Sequence, residues 1–265
     1  MACYAQMCEL PVRFAIGQVH ILSSSEISER DGVNNMNRIV ENLYNAAIIL
    51  TAMILLSLFC IQACAENIIA TPLTNKVDAS HDLTISVDKS PNNTISVSGA
   101  AVCLSSSDVT LNISGGGVPL VIRTSGNDAD GIKISSDCSG KIISNTGLSI
   151  DSTGGNSTNA IDIESVAGGT LYVSGDVKTH TDSASAIYLN NNSSIDIKDN
   201  LGVKTSSTKP AILIGGVGTH DFTVEGSTEI KTTGSGSSGL AIAGGMASIV
   251  GLSFDVAGNG ITRAG

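Results

Sequence analysis

Between residues 122 and 242 one phrase recurs five times: a β-branched residue, a charged residue and a hydroxyl residue, a turn rich in Gly, Ser, Asn and Asp, then a small residue followed by two aliphatics one apart. Its first part reads Ile122-Arg123-Thr124, Ile150-Asp151-Ser152, Val177-Lys178-Thr179, Val203-Lys204-Thr205 and Ile230-Lys231-Thr232, with successive starts 28, 27, 26 and 27 residues apart. Its second part keeps step as Gly131-Ile132-Lys133-Ile134, Ala160-Ile161-Asp162-Ile163, Ala186-Ile187-Tyr188-Leu189, Ala211-Ile212-Leu213-Ile214 and Gly239-Leu240-Ala241-Ile242. A third apolar-x-apolar element, Leu171/Val173, Ile195/Ile197 or Phe222/Val224, closes most units before a glycine. An earlier copy is visible in Ile95/Val97, Ala101-Val102-Cys103-Leu104 and Val109/Leu111/Ile113.

Each element alternates with the period of two that marks a half-buried strand, and the pattern argues against helix after residue 70. A unit of this size cannot bury its own apolar face, so it must stack on its neighbours. Three strands per unit predict an all-β chain, a parallel β-helix in which each strand pairs with its counterpart one coil later. Over residues 80–265 that gives about seven coils, roughly 35 Å of stack at strand spacing. Ile122, Ile132, Ile134, Ile161, Ile163, Ile187, Leu189, Ile212, Ile214, Val224 and Ile230 should point inward. Composition agrees: 42% of residues are hydrophobic but only 3% aromatic, Trp is absent and 29 residues are Gly, which suits a thin coil filled by small branched side chains. An antiparallel sandwich also has short strands and frequent turns, but does not require a three-part phrase kept in step.

Ahead of the repeats, Ala46 to Ala65 is apolar and almost uncharged. The length suits a transmembrane helix. The small-x-small ending Ala63-Cys64-Ala65 and the abrupt change to a polar chain at Glu66 favour a cleaved signal peptide instead. The expected organisation is an N-terminal extension or mis-start over 1–35, a signal peptide over 36–65 and a β-helix over 66–265. Ile61-Gln62-Ala63-Cys64 allows a second reading, a lipobox whose Cys64 would carry a lipid anchor.

From residue 66 onward the chain has 11 Lys and Arg against 19 Asp and Glu, a net charge of −8, so nucleic acid and anionic lipid are poor partners. Lys178, Lys204 and Lys231 are expected to form an outward ladder, a possible acidic-glycan contact or simply a solvated face. Cys103 and Cys138 are the two cysteines of this region. Stacking Cys103 on Lys133 leaves Cys138 on the order of 16 Å along the next coil, too far for a disulfide without a fold-back. No Cys/His cluster predicts a metal, and no cofactor is expected. His81, His180 and His220 are the histidines of this region, and no GxSxG, HExxH or P-loop occurs. Gly215 to Asp221 reads as a corner turn. Asp128 and Asp130, in a turn after Arg123, are the nearest thing to a carboxylate site, and solvated turn chemistry explains them. Catalysis is therefore not expected. The alternative is a polysaccharide-cleaving, pectate-lyase-like β-helix enzyme, which would place several carboxylates with Lys or Arg in one groove on consecutive coils.

The repeat of Ile-Lys-Thr, a polar turn and Ala-Ile-x-Ile, behind an extended leader containing Met36-Asn37-Arg38-Ile39 and Tyr44-Asn45, resembles the passenger domain of bacterial autotransporters. The resemblance covers residues 66–265. It implies a right-handed coil, export across the inner membrane, passage through a carboxy-terminal outer-membrane translocator barrel, and display or release at the cell surface as a structural or adhesive element facing a host glycan or protein. Val40 and Glu41 depart from the leader pattern, and the barrel is not in this sequence, so a fragment of a longer or split reading frame is expected.

Overall fold

The computed structural model describes residues 42–51, 67–115 and 117–263. Residues 1–65 and 66–265 form separate compact units. In the first, residues 42–51 are helical and exposed, and Thr51 Oγ1 donates to the Ala47 carbonyl at 2.6 Å. Among the described residues no helix is long and apolar enough to cross a membrane. The expected signal residues Ala63, Ala65 and Glu66, and the alternative anchor Cys64, lie outside the described residues.

The second unit is a parallel β-solenoid of about seven coils, built from three sheets. The first sheet stacks β1 (Asn67–Ala70), β3 (Leu83–Val87), β6 (Thr110–Gly115), β9 (Lys141–Ser144), β12 (Thr170–Val173), β15 (Ser194–Ile197), β18 (Asp221–Val224) and β21 (Met246–Ile249). The second stacks β4 (Thr94–Val97), β7 (Leu120–Ser125), β10 (Leu148–Thr153), β13 (Val177–Thr181), β16 (Leu201–Thr205), β19 (Thr228–Thr232) and β22 (Leu252–Asp255). The third stacks β2 (Val77–Ala79), β5 (Val102–Leu104), β8 (Ile132–Ile134), β11 (Ile161–Ile163), β14 (Ile187–Asn190), β17 (Ile212–Gly215), β20 (Leu240–Ile242) and β23 (Ile261–Arg263). The phrase maps onto this order: its first part forms the second sheet, its second part the third sheet and its closing element the first sheet. The stack begins earlier than the repeats suggested, because β1 and β2 already pair with β3 and β5.

Like residues sit over like. Val102, Ile132, Ile161, Ile187 and Ile212 form one inward column of the third sheet, and all eleven residues expected to face inward are buried. The hydroxyl residue closing the phrase has its own task. Thr124, Ser152, Thr181, Thr205 and Thr232 form a buried column at the corner between the second and third sheets. Thr181 Oγ1 donates to the Thr158 carbonyl at 2.6 Å, Thr205 Oγ1 to Ala184 at 3.1 Å and Thr232 Oγ1 to Ser237 at 3.2 Å, so at these three coils corner carbonyls that leave the ladder stay hydrogen-bonded, whereas Ser152 Oγ is buried without a partner. The small residue after the corner is required by contact: a Cβ on Gly131 would lie 2.2 Å from Ile150 Cγ2 and 2.6 Å from the Ala160 carbonyl oxygen.

One unit departs from the expected register. Thr179, not Val177, stands on Ile150, and Lys178 stands on Ser149. A slip of two keeps every side chain on its face, so alternation alone does not choose between the registers. The chosen one pairs Val177 with Leu148 and Leu201 and puts Thr181 in the hydroxyl column. The lysine ladder expected at 178, 204 and 231 is therefore replaced by an outward column of Arg123, Asp151, His180, Lys204, Lys231 and Asp255.

Candidate functional site

The middle residue of each third-sheet strand points away from the core, and stacking turns these positions into a column: Asp78, Cys103, Lys133, Asp162, Tyr188 and Leu213. Cys103 thus lies on Lys133 as expected, and its burial pushes the thiol pKa up. Cys138 is buried elsewhere, its Sγ 2.7 Å from the Ser106 carbonyl oxygen, and both thiols are free.

At Lys133 and Asp162 the turns joining the second and third sheets rise beside the column and form a recess of about 440 Å³. Asp130 comes from the turn that feeds β8. It is 1% exposed: its backbone carbonyl accepts from the Ala101 amide at 2.9 Å, and its Oδ1 accepts from the Asn159 amide at 2.9 Å. Lys133 Nζ donates to Asp130 Oδ2 and to Asp162 Oδ2, each at 2.9 Å, from a side chain 34% exposed. Asp162 is 3% exposed, and its second oxygen, Oδ1, has no hydrogen-bond partner.

Two buried carboxylates thus share one ammonium, and the electrostatics follow. Burial pushes the Asp162 carboxyl up to about 7, the neighbouring Asp130 reinforces this, and Lys133 opposes it. Burial also acts to lower the Lys133 pKa, but the attraction and hydrogen bonds of Asp162 and Asp130 outweigh it and hold the ammonium above its ordinary value. A comparable lysine on the first sheet behaves differently. Lys198 contacts Asp196 at 3.0 Å and Glu225 at 2.5 Å beside the Tyr172 ring; Asp196 Oδ1 is likewise buried without a partner, but all three side chains of this cluster are about a third or more exposed, unlike Asp130 and Asp162.

Asp130 is therefore not the solvated turn residue expected from sequence, although Asp128 is exposed, with φ 51°, at the recess margin. Arg123 is on the outward face of the second sheet and does not line the recess. The histidines do not converge. His81 is exposed before β3, His180 Nδ1 pairs with Asp151 Oδ1 at 2.8 Å on the second sheet, and His220 is fully buried in the turn before β18. Of Gly215 to Asp221, Gly215 ends β17 and Asp221 begins β18, and residues 216–220 form that turn, with Gly216 at φ 90° and Gly218 at φ 132°. In the sequence Lys133 and Asp162 are each only the variable residue of Ile-x-Ile. Their opposite charges at equivalent places of successive units were the available signal. Among the described residues no group of three or more His, Cys, Asp or Glu is arranged to hold a metal ion.

Compared with protein-family models, with curated proteins and with solved structures, the chain matches none.

Proposed function

We propose that the chain is a passenger-type segment of an exported surface protein, in which the solenoid is a stiff scaffold that carries an adhesive site. The observation that carries this reading is the unbroken three-sheet parallel stack from β1 to β23, in which each coil is held chiefly by its neighbours. The apolar stretch ending at Ala65 supports delivery as a signal peptide, and passage to the surface would use an outer-membrane translocator barrel. N-terminal sequencing and mass spectrometry after expression in a Gram-negative host test the export step. A mature chain starting at Glu66 is expected; a retained apolar segment or a diacylglyceryl group on Cys64 overturns it in favour of an anchored form. Adhesion is tested by the binding of the exported chain to host cells, and absence of binding removes the adhesive role.

One observation favours a second reading, glycoside hydrolysis. Asp130 and Asp162 lie on consecutive coils with Lys133 against both, the grouping of carboxylates and a lysine in one groove that this reading requires. In this reading Lys133 must leave the gap between the carboxylates; Asp162, with its raised pKa, would then protonate the leaving oxygen while Asp130 Oδ2 attacks the anomeric carbon, and water activated by Asp162 would cleave the glycosyl ester and restore both groups. New reducing ends from a polysaccharide, abolished in Asp130→Ala, would establish this reading, and their absence across neutral and acidic polysaccharides removes it.

A further inference from the structure

The recess has an unbalanced charge. Four carboxylates, Asp128, Asp130, Asp162 and Glu164, line it against two ammonium groups, Lys133 and Lys209. Lys133 is already committed to both Asp130 and Asp162. Asp162 points out of the sheet into this space between the inward Ile161 and Ile163, is 3% exposed, and leaves Oδ1 without a partner. An orphaned oxygen on a buried carboxylate costs stability unless a donor fills the place. Burial, reinforced by the Asp130 charge, pushes the Asp162 carboxyl up to about 7 against the pull of Lys133, so a further cation in the recess would favour its charged form.

Chemistry narrows the missing donor. The Lys133 ammonium sits between the two Oδ2 atoms, where a bare metal ion would have to go, and would repel it. Ser157, Asn159, Ser183 and Ser185 supply hydroxyl and amide groups suited to a polyhydroxylated ligand, and Tyr188 adds aromatic surface. A uronate or a sulfated sugar would bring a like charge to a net-negative recess.

We infer that the recess over β8, β11 and β14 binds an amino-bearing saccharide unit, with the ligand ammonium directed at Asp162 and its hydroxyls meeting the serine and asparagine rim. This rests on the adhesive reading and gives it a ligand class and a place. It also reverses the preference for acidic glycans that a lysine ladder would have implied.

The test is titration of the full chain, by calorimetry or ligand-observed magnetic resonance, with a β-1,4-linked glucosamine trimer, its fully N-acetylated form, trigalacturonate and trilysine. The glucosamine trimer should bind at least about tenfold more tightly than the other three. Asp162→Asn should abolish that advantage while circular dichroism stays unchanged, and Tyr188→Ala should weaken the glucosamine trimer. Equal or tighter binding of trigalacturonate overturns the inference, as does equal binding of trilysine, which would mean a site for any cation. Binding of none of the four overturns it as well. Adhesion to host cells that persists unchanged in Asp162→Asn would leave the adhesive reading standing while removing the recess from it.

Discussion

At the scale of single residues, the Asp130, Lys133 and Asp162 triad is the part of the solenoid where charge was placed against the cost of burial. Removing its cation should be severe. Lys133→Met leaves Asp130, 1% exposed, beside a second buried carboxyl with no ammonium, and should cost about 3–5 kcal/mol of stability, measured by denaturant unfolding. Asp162→Asn should act in the opposite direction, with a defined pH dependence. In the folded chain Asp162 holds its proton up to about 7, whereas unfolded it releases it near 3.8. Between those values the folded state binds the extra proton, so wild-type stability attributable to this group falls as pH rises through the window. Asparagine does not ionise, so the variant should gain little at pH 4 and on the order of 1–3 kcal/mol at pH 8, read as a difference in thermal midpoint between the two pH values. A gain independent of pH would contradict the burial argument. The sequence carried only part of this, the opposite charges of Lys133 and Asp162 at equivalent places of successive units; that Asp130 joins them, and that both carboxylates are buried, depends on how the turn folds over the sheet.

At the scale of the strand, the fixed places in the phrase now have physical reasons. The β-branched residue fills the core, the charged one faces water and the threonine ties down a corner carbonyl. Thr181→Val should therefore cost about 1–3 kcal/mol, because it removes the side-chain donor that reaches the Thr158 carbonyl. Thr205→Val should cost less, because Ser207 Oγ still donates to the same Ala184 carbonyl at 2.7 Å. Urea denaturation of the two variants in parallel checks the order, and equal costs would mean that the column works by packing alone. Ile187 stands between Ile161 and Ile212 at 0% exposure, so Ile187→Asp should prevent cooperative folding, and an unchanged thermal transition would refute the register. The register of β13 was not legible because Val177, Thr179 and Thr181 satisfy the inward face equally well when moved by two. The contest was settled by which hydroxyl reached the corner.

At the scale of the whole solenoid, stability should be nearly one-dimensional, a sum over coils and the interfaces between them. Deleting residues 226–265 should leave the earlier coils folded, with a β-type circular dichroism spectrum and a lower thermal midpoint; complete unfolding would show long-range cooperativity that nearest-neighbour stacking does not provide. The architecture itself was determined by the sequence. Strand type, three strands per coil, parallel stacking and the inward set all follow from a phrase kept in step, since a period-two pattern has one buried face and a repeat too small to bury it must stack. Only the tertiary structure decided which outward residues share a column and which turns close over them. A recess is made by backbone geometry at corners whose length and composition vary from coil to coil, and a side chain's charge state depends on the water excluded there. Periodicity specifies the faces of strands, but burial at a corner and the partner on the next coil are set by three-dimensional contact.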